Sequence, residues 1–285
     1  MNIQRAAVIG SGLMGSGIAQ SIAQGGYSVA LYDISETALQ RSLQSIEKSL
    51  LRFVKAGQLT EGTVEQILGQ IETYHDLSEA CADVQLVIEA VPENLDLKKQ
   101  IFAQLDDYAP AHCILATNTS ELSVTAIASA TRRPQAVLGM HWFNPAPIMR
   151  LIELVKATDT SDEALQAVEQ FSHAIGKETV VVRDAQGFVT TRALAAHILE
   201  GMRILEENIA SREDIDKAIR LGLNYPMGPL ELADLCGLDT LLFASEGLVE
   251  AYGDRFRPPQ ILRKLVEAGH HGKKTGKGFY SYEKK

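Results

Sequence analysis

An α/β fold, a parallel sheet with a helical insertion ahead of an all-α C-terminal domain, is predicted by three observations. Short apolar runs alternate with helical repeats through residues 1–183, as in buried parallel strands joined by crossover helices. The first turn after the first such run is Gly10-Ser11-Gly12-Leu13-Met14-Gly15, and the next run ends in Asp33. Beyond Asp184 the periodicity is helical only, which sets residues 184–285 apart as a second domain, with the boundary near residues 183–186. The first part has the arrangement of a Rossmann-type dinucleotide-binding domain.

Taken in order, residues 6–9 read as a buried strand and 16–24 as a helix, with Ile18, Ala19, Ile22 and Ala23 at helical spacing. Gly25-Gly26 stops that helix, and 28–33 is the second strand. From Glu36 to about Gly57, apolar Leu39, Leu43, Ile46, Leu50 and Phe53 recur every three or four residues, and a short helix runs from Thr60 to Leu68. This helical pair exceeds a minimal crossover and is expected to project from the sheet. Strands follow at 71–74, 84–91, 113–117 and 136–140, with helices at 97–105 and 124–130. Strands at 151–155 and 178–182 flank a helix at 161–175. Helices are then expected at 187–208, after the capping box Ser211-Arg-Glu-Asp, and at 228–236, 239–251 and 259–268. The tail from Gly272 to Tyr280 is glycine-rich, basic and irregular.

The composition narrows the class. A net charge of −9 argues against nucleic acid and against anionic membrane surfaces as partners. No apolar run reaches the roughly 18 residues needed to span a membrane, and no charged-then-apolar leader precedes the first strand. Cys81, Cys113 and Cys236 are too few and too widely spaced for a disulfide framework or a metal set, so a cytoplasmic protein without a metal is expected.

In the glycine loop, Gly10 permits the tight turn, Gly12 lets backbone approach a pyrophosphate, and Gly15 lets helix and strand pack closely. Leu13 and Met14 open the helix, whose N-terminus offers N–H groups and positive dipole to phosphates. Asp33 stands where a carboxylate binds the adenosine ribose and repels a 2′-phosphate, so NAD is favoured over NADP. A glycine-rich turn that binds nothing is the alternative, and the strand–helix context weighs against it.

Three later strands end in polar residues: Glu93, then Asn118 to Ser120, then His141 and Asn144. Ligands of open α/β sheets lie outside the carboxyl ends of the strands, so these loops should converge. His141 can take a proton from an alcohol, because imidazole titrates near neutrality. Glu153, an acid inside an apolar strand, is the candidate for its other ring nitrogen. Ser120 and Asn144 could hydrogen-bond a substrate oxygen. The residues alone also allow plainer readings: a hydrogen-bonded loop histidine, a surface acid on an edge strand, and a helix cap at 118–120. Arg41, Lys48, Arg52 and Lys55 share one helix, either as a solvated face or as a local field for an anionic ligand.

Together these stretches resemble the short-chain L-3-hydroxyacyl-CoA dehydrogenases, particularly the bacterial 3-hydroxybutyryl-CoA dehydrogenases. The resemblance rests on Val8-Ile-Gly-Ser-Gly-Leu-Met-Gly15 with Asp33, Glu89-Ala-Val-Pro-Glu93 with Lys98, Asn118-Thr-Ser120, and Gly139-Met-His141-Trp-Phe-Asn144-Pro145 with Glu153. It continues through Gly187-Phe-Val189, Tyr225-Pro-Met-Gly-Pro229 and Lys274-Thr-Gly-Lys-Gly-Phe-Tyr280. It implies NAD-dependent, reversible oxidation of a 3-hydroxyacyl-CoA by a homodimer joined through the C-terminal domain. His141 would be the general base, Glu153 its partner, and Ser120 and Asn144 the contacts to the substrate's C3 oxygen. Glu93, Lys98 and Asn118 would serve the cofactor, and Ser49, Arg52 and Lys55 the CoA nucleotide. Where many members carry asparagine in the Gly-Phe motif, this chain has Thr191, which is expected to border the substrate with one hydroxyl in place of an amide.

Two other functions stay open at this point. A related dehydrogenase of a free 3-hydroxy acid or sugar acid would need a cation for the carboxylate and no CoA. A non-enzymatic NAD-binding protein would not need His141, Glu153, Ser120 and Asn144 together.

Overall fold

The computed structural model describes residues 2–282. Residues through Asp184 form one compact unit and those from Ala185 onward another.

The first unit begins β1 (Arg5–Ile9), α1 (Leu13–Gln24), β2 (Ser28–Tyr32), α2 (Glu36–Lys55), α3 (Glu61–Leu68), β3 (Ile71–Tyr74). It continues with α4 (Leu77–Cys81), β4 (Leu86–Glu89), α5 (Leu95–Tyr108), β5 (Ile114–Thr117), α6 (Val124–Ala128). It closes with β6 (Val137–Trp142), β7 (Leu151–Lys156), α7 (Asp162–Ala174) and β8 (Glu178–Arg183). The strands make one eight-stranded sheet in the order β3-β2-β1-β4-β5-β6-β7-β8. Successive residues of β1 feed opposite cores, Ala6 and Val8 on the side of α1 and α7, Ala7 and Ile9 on the side of α4 and α5. Both faces are thus covered, which is why the strands read as unbroken apolar runs.

The sheet is parallel, as expected from sequence, except for β6 against β7, which run antiparallel. Only residues 143–150 join those two strands, and a parallel crossover needs about a dozen or more. The antiparallel register sets His141 directly across from Glu153. β6 also runs two residues past its expected end, so His141 and Trp142 belong to the strand and not to the loop after it.

The insertion does not simply project. Leu39, Ile46 and Leu50 of α2 and Val64 and Ile67 of α3 are buried in the same core as α1, and Ser42 donates to Ser16 at 2.9 Å. Periodicity missed α4, whose five residues are too few to show a repeat; Asp76 caps it by accepting from the amides of Ser78 and Glu79. α1 starts at Leu13, directly on the glycine loop.

In the second unit the helices are α8 (Thr190–Glu206), α9 (Arg212–Gly222), α10 (Pro229–Cys236), α11 (Leu238–Tyr252) and α12 (Gln260–Glu267). α8 begins later than its periodicity suggests, because Gly187 and Phe188 take positive φ values of 71° and 46°. Ile198, Leu199, Met202, Leu230, Leu238 and Leu248 centre the core. Buried Asp234 binds the irregular tail, accepting from the amides of Phe279 and Tyr280 at 2.8 Å and from the Tyr282 hydroxyl at 3.0 Å.

Candidate active site

The carboxyl ends of β1, β4, β5 and β6 are neighbours in the sheet, and each delivers part of the site. Gly10 has φ of 99°, and a Cβ there would stand 2.9 Å from the Ala90 carbonyl oxygen, so the turn admits no side chain. A Cβ on Gly15 would collide with the Gly10 carbonyl oxygen. Gly12 differs: it is exposed, and a Cβ there would meet nothing within 4 Å. It opens α1 without a side-chain cap, which leaves first-turn N–H groups to an outside acceptor. Leu13 is exposed and Met14 half-buried beside it. Asp33 Oδ2 accepts from both the amide and the hydroxyl of Ser11 at 2.8 Å, and Oδ1 from the Ser35 amide at 3.0 Å. The acid expected to meet a ribose therefore also fastens the glycine loop. An uncapped helix start, open space at Gly12 and a carboxylate beside them fit a dinucleotide.

A second network runs along the ends of β4 and β5. Glu89 and Lys98 are wholly buried and paired at 2.7 Å; Glu89 also accepts from Thr117 Oγ1 and from the Val91 amide at 2.7 Å each. Lys98 reaches Glu93 at 3.3 Å, and Glu93 accepts from the Ser120 amide at 2.9 Å and from the Thr119 hydroxyl. Lys98, expected at the cofactor, is sealed beneath Glu93, where it orients that carboxylate. Asn118 accepts from the Trp142 amide at 2.9 Å and so ties β5 to the end of β6. Next to Ser120, buried Glu121 is pushed up to about 7 by burial and by the neighbouring Glu93.

The third element is the pair on β6 and β7. His141 Nδ1 lies 2.7 Å from Glu153 Oε2, and the two side chains are 6% and 0% exposed. A carboxylate only accepts, so Nδ1 carries the proton in this pair. The Phe143 ring, 4.5 Å away between centroids, packs against the imidazole. Asn144 and Ser120 are both exposed at loop positions following β6 and β5. This is the geometry of a general base with an orienting acid: the buried carboxylate fixes the tautomer and favours the imidazolium once it forms.

Residues 5–185 match the family described as 3-hydroxyacyl-CoA dehydrogenase, NAD binding domain, and residues 187–282 match its C-terminal domain. The chain belongs to the 3-hydroxyacyl-CoA dehydrogenase family. It is 44% identical over 286 residues to the probable 3-hydroxybutyryl-CoA dehydrogenase of Bacillus subtilis, covering 100% of this chain and 99% of that one. The human mitochondrial hydroxyacyl-coenzyme A dehydrogenase is 42% identical, over 99% of this chain and 92% of its own. Among solved structures, (S)-3-hydroxybutyryl-CoA dehydrogenase from Ralstonia eutropha superposes with a TM-score of 0.95 at 41% identity, covering 99% of this chain and 100% of that one. As a member of this family the chain is an oxidoreductase, and its cofactor is NAD.

The structure thus brings His141 to Glu153, Glu93 to the Ser120 backbone, and Asp33 to the glycine loop. Ser49, Arg52 and Lys55 lie on the last turns of α2, with Arg52 and Lys55 exposed. Thr191 sits in the first turn of α8, in the second unit. Glu89, Thr117 and Thr119 had no assigned role from sequence. Glu89 carried the signal that marked Glu153, an acid in an otherwise apolar strand.

Proposed function

We propose that this protein catalyses the reversible oxidation of an (S)-3-hydroxyacyl-CoA, with 3-hydroxybutyryl-CoA as its substrate, to the 3-oxoacyl-CoA. The observation that carries this reading is the buried His141–Glu153 pair at a strand end neighbouring the glycine loop's strand set. Bound NAD supplies the hydride acceptor, held by the backbone of Gly10, Gly12, Leu13, Met14 and Gly15, by Asp33 at the ribose, and by Glu93 and Asn118 toward the nicotinamide half. Lys98 serves through Glu93. His141 Nε2 takes the hydroxyl proton as the C3 carbon is oxidised, and Glu153 stabilises the imidazolium. Ser120 and Asn144 hold the C3 oxygen, and an amide donor on that oxygen stabilises its developing negative charge in the reverse direction. Thr191 borders the acyl group, and Ser49, Arg52 and Lys55 receive the CoA nucleotide, a polyanion suited to the basic last turns of α2.

The protein works as a homodimer joined through its C-terminal domain, a reading supported by exposed Leu221, Leu223, Leu235 and Phe243 on that unit. A cytoplasmic place is supported by three free thiols, and no helix among the described residues is long and apolar enough to cross a membrane.

The test is loss of NADH absorbance with acetoacetyl-CoA, repeated with NADPH and with free acetoacetate. Turnover of the thioester with NADH, and at least tenfold less with either replacement, supports the reading. Comparable turnover of the free acid removes CoA from it and favours the free-acid branch. Sedimentation equilibrium checks the dimer, and a monomer at micromolar concentration contradicts it.

A further inference from the structure

Lys177, just before β8, is 7% exposed and has no carboxylate within ion-pair distance among the described residues. Its ammonium donates to the carbonyl oxygens of Ala146 at 2.6 Å and Met149 at 2.7 Å, and stands 5.5 Å from the centroid of the Trp142 ring. A buried ammonium without a counter-charge is costly, and two carbonyl acceptors and an aromatic face offset only part of that. Burial pushes the group down to about 8.

The two carbonyls belong to the segment that leaves β6 directly after His141-Trp142 and returns as β7, the strand of Glu153. That segment carries Asn144. Its own backbone contributes two short-range bonds, from the amides of Ile148 and Met149 to the Pro145 carbonyl at 3.0 Å. Buried Ala146 rests on α1, where a Cβ on Gly17 would meet it at 3.1 Å. Lys177 reaches this segment from the far side of β7, across the ladder that joins β7 to β8.

We propose that Lys177 is a positioning residue for the reaction, fastening the 143–149 segment so that Asn144 is held beside the end of the strand that carries His141. The proposal rests on the roles given above to Asn144 and His141. The lysine touches no reacting group and acts through two carbonyls; its loss misplaces Asn144 while the glycine loop keeps its geometry.

The experiment compares the full-length wild type with Lys177→Met, which keeps the apolar stem and loses the donors, and Lys177→Arg, which keeps donors and charge. Three quantities are read: kcat for acetoacetyl-CoA, Kd for NADH, and emission of Trp142, the only tryptophan. In Lys177→Met, kcat is expected to fall roughly 10- to 100-fold, as for a displaced contact to a reacting oxygen, with Kd for NADH within about threefold. Lys177→Arg is expected to recover most of kcat. Wild-type Trp142 emission is expected to change between about pH 7 and 9 and to lose the lysine's contribution in both variants; His141, adjacent to Trp142, is common to all three proteins, so the difference from wild type is what is read.

A folded Lys177→Met variant with wild-type kcat overturns the proposal. So does an emission change in Lys177→Arg equal to that of wild type, and this second result decides the matter if the methionine variant does not fold. An inactive wild type is a different failure: it removes the catalytic reading and leaves the emission titration to judge the lysine's place.

Discussion

Replacing Glu153 by glutamine changes one oxygen into an amide and removes one buried charge. Nδ1 and Oε2 are 2.7 Å apart and the carboxylate is fully enclosed. At an effective dielectric of about 20, opposite unit charges at that separation attract by about 6 kcal/mol. This attraction exists only while His141 is protonated, so it favours the state formed as the hydroxyl proton is taken. The amide dipole recovers part of it. A net loss of about 3–5 kcal/mol corresponds to roughly 100- to 5,000-fold in kcat, at about 1.4 kcal/mol per tenfold. Glutamine can also donate to Nδ1, which would shift the ring proton to Nε2 and remove its ability to accept. The assay is steady-state oxidation of 3-hydroxybutyryl-CoA with saturating NAD, beside NADH binding by fluorescence. Binding is expected to stay within about threefold, because Glu153 is on β7 and the glycine loop follows β1. A glutamine variant that folds and keeps kcat within about fivefold refutes the reasoning.

Other substitutions reach other parts of the account. Gly12→Ala adds a methyl where nothing lies within 4 Å, so thermal stability should hold while Kd for NADH rises at least roughly tenfold, the methyl occupying space needed for close approach of a pyrophosphate; unchanged binding would place the cofactor elsewhere. For Glu121, burial and Glu93 lift the folded-state value to about 7 from 4.5, so the unfolded chain gives up its proton first and stability falls as pH rises through that window. The full handicap above it is up to about 3 kcal/mol. Glu121→Gln should therefore be more stable than wild type at pH 8 and lose that advantage near pH 4, by urea midpoints; a difference independent of pH contradicts the assignment. Asp234→Ala strips acceptors from two amides and a hydroxyl, each buried orphan costing about 1–3 kcal/mol, and should lower the melting temperature of the C-terminal unit by several degrees or more in calorimetry.

The strands of the first unit and the polar residues at their ends were legible because they are written in local patterns. Apolar runs, glycines at a turn and an acid inside a strand each show within a few residues. The register was not so written. That His141 faces Glu153 follows from an antiparallel ladder, which is forced by the short connection and visible only once β6 is known to reach Trp142. The surroundings of Lys98 were hidden for a related reason: sequence places it near Glu93, but only packing reveals that it is 1% exposed and bound to Glu89. Lys177 gave no sign at all, since its partners are backbone carbonyls about thirty residues away and carbonyls leave no mark on composition. For Asn118, no sequence pattern indicates that its side-chain oxygen accepts from the Trp142 amide.

The most direct test of the central claim is His141→Ala, measured with saturating NADH and acetoacetyl-CoA, alongside binding of each ligand. If His141 moves the proton at the C3 oxygen, kcat falls roughly 100- to 10,000-fold while both dissociation constants stay within a few-fold of wild type. Turnover within tenfold of wild type, with the variant folded, would mean that another group moves the proton and that the buried pair on β6 and β7 is structural.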